Sequence, residues 1–165
     1  MTVRTLRWGL VGLGSLATTV MGASRRAQHA VISAGATRDP AKGRAFCEKH
    51  HIPNFHASHA TMVTDPEVDA VFVMTPNDQH LPVVLAAAAA GKQVLCEKPL
   101  AMTEADALTM IAACETAGVM LRLGLHLRFE KFLDRVAAVL AQGRIGTIRA
   151  ISIERAAPLS ERAPW

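Results

Sequence analysis

The first residues that can do chemistry form the glycine-rich hexapeptide GLGSLA, which begins at Gly12. Gly12, Gly14 and Ala17 fit a G-x-G-x-x-A pattern that follows an apolar run. In such a turn the first glycine allows a tight bend, and the second lets the backbone approach a pyrophosphate. The third position packs the next helix closely on the sheet. The pattern predicts dinucleotide binding, with the backbone amides from Gly14 through Ser15 to Leu16 facing the pyrophosphate. The alternative is a glycine-rich turn that binds no ligand.

The residues that end the second predicted strand bear on which dinucleotide is bound. An acidic residue there binds the ribose 2′-hydroxyl of NAD, whereas an arginine accommodates the 2′-phosphate of NADP. In this chain Thr37 and Arg38 can both donate hydrogen bonds to a phosphate, and the guanidinium can also lie over the adenine. Asp39 precedes Pro40 as a helix cap would, but its carboxylate could instead face the ribose. We expect NADP to be favoured over NAD.

A further polar segment, Thr75-Pro76-Asn77, follows another apolar strand, and His80 lies shortly after it. Open parallel sheets bind ligands at the carboxyl ends of their strands, so all four residues are candidates for contact with the cofactor. Asn77 has an alternative role as the cap of the following helix. A histidine at the position of His80 is more often structural than catalytic.

The segment with the clearest catalytic potential is Glu97-Lys98-Pro99, at the end of a later strand. A lysine at such a strand end places an ammonium group where a nicotinamide would lie. From there it can bond a substrate hydroxyl or carbonyl and assist proton transfer. The alternative is an exposed Glu–Lys ion pair in a loop.

Strands that alternate with helices must position these groups. Apolar runs predict strands at 6–11, 30–37, 69–75, 93–96 and 119–123. Helical patterns between them cover 16–28, 39–50, 76–90 and 103–117. This alternation predicts an α/β fold, a doubly wound parallel sheet of the Rossmann type with helices on both faces, over residues 1–124. A helix at 128–142 and a strand at 148–153 predict the first elements of an incomplete second α/β domain over 125–165.

Composition excludes several classes of protein. The chain has 165 residues, half of them hydrophobic, which suits one domain or one domain with part of another. The net charge of +4 is spread along the chain and only 4% of residues are aromatic, so we expect no nucleic-acid partner. The longest nearly apolar run, 81–90, contains a proline and is too short to cross a bilayer.

Histidine and cysteine usage predicts no metal and a cytoplasmic location. The histidines at 50, 51, 56 and 59 lack regular ligand spacing, and we interpret them as solvated loop residues. The three cysteines have no C-x-x-C spacing and the amino terminus carries no secretion signal, which is typical of a reducing compartment. Cys96 is adjacent to Glu97 and could line a cofactor cleft, the alternative being a buried strand thiol.

Taken in order, these motifs resemble the Gfo/Idh/MocA oxidoreductases, the family of glucose–fructose oxidoreductase and inositol dehydrogenase. Further matching segments are VDAV at 68–71, AGK at 90–92 and GRIGTIRA at 143–150. The resemblance implies hydride transfer between a nicotinamide dinucleotide and a sugar, polyol or related hydroxyl compound. It implies that Lys98 is the acid/base or substrate-orienting residue. It also implies that Glu97 lies near the nicotinamide ribose and Arg128 near the active-site cleft.

One feature of the family has no counterpart in the sequence. Family members use an Asp and a His from their second domain, and no D-x-x-x-H pattern occurs in the last forty residues here. We therefore expect residues 1–165 to bind the cofactor without catalysis, and any homo-oligomer to depend on a complete second domain. The alternative functions are a non-catalytic dinucleotide-binding or regulatory module and a fragment of an interrupted gene.

Overall fold

Six parallel strands form the central sheet in the computed structural model, which describes residues 4–154. They are β1 (Leu6–Val11), β2 (Ala30–Ala36), β3 (Asn54–His56), β4 (Ala70–Val73), β5 (Gln93–Cys96) and β6 (Leu121–Leu123). Their order is β3-β2-β1-β4-β5-β6, and every neighbouring pair is parallel. The order changes direction between β1 and β4, which makes their carboxyl ends the switch point where such sheets bind ligands. The predicted doubly wound sheet is confirmed.

Helices cover both faces of the sheet. They are α1 (Ser15–Ser24), α2 (Pro40–His50), α3 (His59–Val63), α4 (His80–Ala89), α5 (Glu104–Ala117) and α6 (Lys131–Ala141), with short 3-10 turns at Asn77–Gln79 and His126–Phe129. Neighbouring residues on a strand point to opposite faces. Accordingly Leu10 packs in the cluster that includes Ala17 of α1, whereas Val11 packs in the cluster that includes Val83 and Met110 of α4 and α5.

The described chain divides into two units between Leu125 and His126, one residue after the predicted boundary. In the second unit α6 is amphipathic and none of its side chains is buried. Phe132, for example, is 64% exposed. None of the helices within residues 4–154 is both long enough and apolar enough to span a membrane.

The structure differs from the sequence prediction in several elements. Neither β3 nor α3 was predicted, and α1 ends at Ser24 rather than at residue 28. The α6 helix begins at Lys131 because the residues before it form a 3-10 turn. The predicted strand at 148–153 is wrong: these residues form no strand, and Ile151 and Ile153 are 74% and 87% exposed. Alternation alone does not make a strand, because a strand needs a neighbour to pair with.

A salt bridge joins β1 to β4 at the amino ends of the strands, the edge opposite the switch point. The Arg7 guanidinium donates to both oxygens of Asp69, with Nε at 2.9 Å and Nη2 at 2.8 Å, and its backbone amide donates at 3.0 Å. Exposed Arg4 adds a contact at 2.7 Å. Hydrogen bonds from Arg7 hold the pKa of the Asp69 carboxyl well below its usual range.

Candidate functional site

A cavity of about 360 Å³ lies at the switch point of the sheet. It brings together five predicted residues that are far apart in the sequence, namely Gly12, Thr37, Arg38, Thr75 and Pro76. The remaining lining residues are Val11, Ala36, Ser58, His59, Gln79 and Val83. The carboxyl ends of β1, β2 and β4 therefore contribute to one concave surface, which is the arrangement in which doubly wound sheets bind ligands.

The glycine-rich turn is shaped by the backbone around it. Gly12 has a φ of 95°, and a Cβ there would lie 2.6 Å from the carbonyl oxygen of Met74, so only glycine fits. Gly14 stands at the N-cap of α1, and a Cβ there would have no atom within 4 Å. Ser15 and Leu16 lie exposed in the first turn of α1, where backbone amides have no partner within the helix. An anion can therefore approach these amides without obstruction.

Asp39 is occupied by the helix that it starts. Its carboxylate accepts hydrogen bonds from the backbone amides of Ala41 and Lys42, each at 3.1 Å, and pairs with the Lys42 ammonium at 3.4 Å. The hydrogen bond from the Lys42 amide is the main cause that lowers the pKa of this carboxyl. Of the two roles left open by the sequence, the structure gives Asp39 that of the cap. Thr37 and the exposed Arg38 line the cavity beside it.

The segment Glu97-Lys98-Pro99 continues from β5 at the same edge of the sheet. The Glu97 amide donates to the carbonyl of Val73 on β4 at 3.0 Å, and the Lys98 amide donates to Glu97 Oε2 at 3.2 Å. The Lys98–Pro99 peptide is cis. The Glu97 carboxylate packs on Gly124, where a Cβ would lie 2.9 Å from Oε1. Lys98 is exposed, and neither it nor Glu97 lines the 360 Å³ cavity.

His80 differs from its predicted role as a cofactor contact. Its side chain is fully buried, and both ring nitrogens face backbone carbonyl oxygens rather than the cavity. Its position is that of a structural histidine, the alternative that the sequence left open. Asn77 is exposed in the 3-10 turn that precedes α4, outside the cavity lining. Arg128 lies in the second unit, in the turn before α6.

Three polar residues that line the cavity were not predicted as site residues: Ser58, His59 and Gln79. Ser58 and His59 follow β3, a strand of only three half-buried residues without an apolar run. The one available signal was Ser58, whose hydroxyl caps α3 by accepting from the Thr61 amide at 3.1 Å. His59 is half-buried at the cavity rather than a solvated loop residue. Within residues 4–154, no group of three His, Cys, Asp or Glu side chains could hold a metal ion.

The three cysteines are all buried and unpaired with one another. Cys47, Cys96 and Cys114 are at most 4% exposed. Burial raises the pKa of each thiol, and it raises that of Cys96 to about 12 with a smaller contribution from the charge of Glu97. Cys96 is therefore a buried strand thiol, the second of the two roles considered for it, and no reactive thiolate is available at the site.

Residues 6–125 match the family GFO_IDH_MocA, described as an oxidoreductase family with an NAD-binding Rossmann fold. The chain belongs to this family. As a Gfo/Idh/MocA member, it comprises the nicotinamide-dinucleotide-binding domain of the oxidoreductases, which confirms the resemblance seen in the sequence.

Curated relatives extend the comparison. The chain is 36% identical over 152 residues to trans-1,2-dihydrobenzene-1,2-diol dehydrogenase of Mus musculus, an alignment that covers 90% of this chain and 45% of that enzyme. It is 43% identical over 141 residues to 1,5-anhydro-D-fructose reductase of Ensifer adhaerens, covering 85% and 42%. The chain thus spans somewhat less than half the length of these Gfo/Idh/MocA relatives.

Solved structures of the family show the same fold. A probable dehydrogenase from Thermotoga maritima superposes with a TM-score of 0.81 at 31% identity, over 86% of this chain and 42% of the other. Scyllo-inositol dehydrogenase from Lactobacillus casei, solved with NAD(H) and scyllo-inositol, gives a TM-score of 0.80 at 26% identity, covering 87% and 43%. The architecture of the Gfo/Idh/MocA nucleotide domain is therefore present here.

Proposed function

We propose that this domain binds NADP(H) in preference to NAD(H). We further propose that it serves an oxidoreductase that transfers a hydride between the nicotinamide and a sugar, polyol or related hydroxyl compound. The observation that carries the cofactor choice is the pairing of an exposed Arg38 at the cavity with an Asp39 that is committed to its helix. The pyrophosphate site, the choice between NADP and NAD and the acid/base each depend on different residues.

The cavity has the chemistry that a dinucleotide needs. The open space above Gly14 and the free amides at the start of α1 suit a pyrophosphate. Thr75 lines the cavity, and its buried hydroxyl has no hydrogen-bond partner within the described residues. Gly12, Thr37 and Arg38 complete the wall from two other strands. These features support contacts by Gly12, Gly14, Thr37, Arg38 and Thr75 with the cofactor.

The charge at the end of β2 favours a 2′-phosphate. A guanidinium forms strong, paired hydrogen bonds to phosphate oxygens. The carboxylate of Asp39 already accepts two backbone amides and pairs with Lys42, so binding a ribose 2′-hydroxyl would require it to leave the start of α2. Thr37 adds a hydroxyl donor in the same wall. Binding of a 2′-phosphate by Arg38 therefore leaves the cap of α2 intact, whereas binding of the ribose by Asp39 would remove that cap.

Lys98 is the proposed acid/base. When bound, the nicotinamide gives or takes the hydride. The Lys98 ammonium, exposed at the carboxyl end of β5, would donate a proton to the substrate oxygen in reduction, and its amine would accept one in oxidation. The backbone hydrogen bond from Glu97 to Val73 fixes the start of this segment against β4. We also propose that Glu97 contacts the nicotinamide ribose and that Arg128 contributes to the cleft.

The relatives support the proposed class of substrate. One is named for a cyclic diol and another for an anhydro sugar, and a structural neighbour was solved with an inositol. All three names refer to polyhydroxylated compounds or their carbonyl counterparts. A hydroxyl or carbonyl on such a compound is a group to which an ammonium like that of Lys98 can bond.

The proposal is tested by nucleotide titration followed by turnover. NADPH fluorescence should show saturable binding to the chain, and sugars, polyols and diols are then assayed for change in nicotinamide absorbance. Lys98→Met should leave NADPH affinity within about twofold and abolish any turnover, because the group that handles the proton is removed. Binding without turnover is the result expected of residues 1–165, and absence of binding contradicts the proposal.

A further inference from the structure

His80 is fully buried, and the nitrogens of its ring face backbone carbonyl oxygens. Nδ1 lies 3.0 Å from the carbonyl oxygen of Pro99 and 3.2 Å from that of Leu100. Nε2 lies 3.1 Å from the carbonyl oxygen of Thr75. The relative exposure of the residue is 0%. The two ring nitrogens therefore lie within hydrogen-bonding distance of the backbone of two separate segments.

The two segments are the ones that carry the proposed site. Thr75 follows β4 and lines the cavity, whereas Pro99 and Leu100 directly follow Lys98. A further link between β4 and the Lys98 segment is the hydrogen bond from the Glu97 amide to the Val73 carbonyl, which lies before Lys98. Lys98 thus stands between one anchor on its amino side and one on its carboxyl side. The second anchor runs through the His80 ring.

We propose that His80 is a positioning residue that fixes the Lys98 segment relative to the cavity wall at Thr75. This inference rests on the proposed function of Lys98 and of the cavity. Carbonyl oxygens only accept hydrogen bonds and a neutral imidazole has a single N–H, so the ring bonds both segments at once only as the imidazolium, with a proton on each nitrogen. An apolar side chain of similar size could fill the same space, but it would leave these carbonyl oxygens without the donor that the ring supplies. The ring therefore supplies a connection that packing alone does not.

The test compares two ligands that reach different parts of the site. NADPH extends to the nicotinamide end, beside Lys98, whereas 2′,5′-ADP carries only the adenosine and its phosphates. Replacing His80 by Leu should weaken NADPH binding about tenfold, the effect of losing one to two net hydrogen bonds, because the segment that it holds also carries Glu97, the proposed contact to the nicotinamide ribose. The affinity for 2′,5′-ADP should stay within about twofold, because its contacts with Arg38 and Thr37 do not involve this anchor. A purely structural role would lower both affinities together.

Rescue and control variants make the comparison specific. His80→Gln retains N–H donors, so its NADPH affinity should lie between those of the wild type and His80→Leu. His50→Leu is the matched control, because His50 is half-buried in α2 with a buried Nδ1 that has no partner in the described residues. It should leave both affinities unchanged. Equal losses for the two ligands, or equal affinities of the Leu and Gln variants for NADPH, overturn the inference.

A measurement on the unaltered chain covers the case in which His80→Leu does not fold. With ¹⁵N-labelled histidine, a His80 ring N–H should exchange with solvent far more slowly than those of the exposed His29 and His51. Exchange as fast as at those residues overturns the inference. If the wild type binds neither NADPH nor 2′,5′-ADP, the proposed function is contradicted, and the positioning role that depends on it is contradicted too. If the wild type binds both ligands and His80→Leu loses affinity for NADPH only, the proposed function and the positioning role are both supported.

Discussion

At the scale of single residues, Arg38 is expected to carry the preference for NADPH. Arg38→Ala removes a guanidinium from the cavity, and a hydrogen bond to a charged group contributes about 1.5–3 kcal/mol. NADPH affinity should therefore fall roughly tenfold to more than a hundredfold, while NADH affinity changes little. Fluorescence titrations with both nucleotides measure this. Arg26→Ala, which removes the same charge outside the cavity lining, is the control. Equal losses for the two nucleotides would mean that Arg38 stacks on the adenine instead.

Gly14 allows a test of the pyrophosphate turn that leaves the fold intact. Its backbone is extended, with φ of −96°, and a Cβ would touch nothing, so valine fits without strain. In Gly14→Val the branched side chain would fill the approach to the amides of α1, and NADPH binding should be abolished with little change in melting temperature. Gly22→Val, also in open space but within α1, should keep normal binding. Normal NADPH binding by Gly14→Val would show that this turn does not hold the pyrophosphate.

Residue types alone predicted only part of this site. The spacing of Gly12 and Gly14 was informative because the bend requires the first glycine, and the approach of a ligand to the backbone favours the second. The roles of Asp39 and His80 stayed open, because the same side chain can cap a helix, fill a core or bind a ligand. Their contacts in the structure distinguish these roles. The Asp39 carboxylate contacts two backbone amides, and the His80 ring contacts three carbonyl oxygens. Such contacts depend on segments up to 20 residues away, beyond what local spacing reveals.

At the scale of elements, the salt bridge between Arg7 and Asp69 is expected to hold β1 against β4. Asp69→Asn should lower the free energy of unfolding by about 1–2 kcal/mol near neutral pH, because charge-assisted hydrogen bonds become neutral ones. The pKa of Asp69 is lowered in the folded state, so this contribution is present above the unfolded value of about 4 and is lost as pH falls below it. Urea melts at several pH values measure the difference between wild type and variant.

The control for that prediction is the neighbouring surface arginine. Arg4 bonds the same carboxylate but its side chain is 73% exposed, so Arg4→Ala should change the unfolding free energy little. A wild-type advantage over Asp69→Asn that persists unchanged at low pH would contradict the assignment of the effect to the carboxylate.

Strands were predicted correctly where the apolar run is long, and incorrectly where pairing with a neighbouring strand determines whether a strand forms. The run that forms β1 is buried at its carboxyl end, and its pattern sufficed. β3 contains only Asn54, Phe55 and His56, and it exists because it pairs with β2. The alternating segment at 148–153 has the pattern of a strand but forms no ladder in the described residues. Ser58 and His59 escaped attention for the same reason, since the missed strand leads into them.

At the scale of the whole molecule, the family match and the first unit end at the same residue, Leu125. All the residues that line the cavity, together with Glu97, Lys98 and His80, belong to that unit. Arg128 and the amphipathic α6 belong to the second. Nucleotide binding can therefore be studied on the residues of the first unit.

The burial of all three cysteines has a consequence for chemical resistance. Cys47, Cys96 and Cys114 are protected by packing, and their raised pKa values keep sulfur in its less nucleophilic form. Peroxides and electrophilic metabolites react mainly with exposed thiolates. For this chain, the rate of such damage is then set by how often the core opens rather than by the concentration of reactive sulfur. A ligand that stabilises the folded state would protect these thiols without touching any of them.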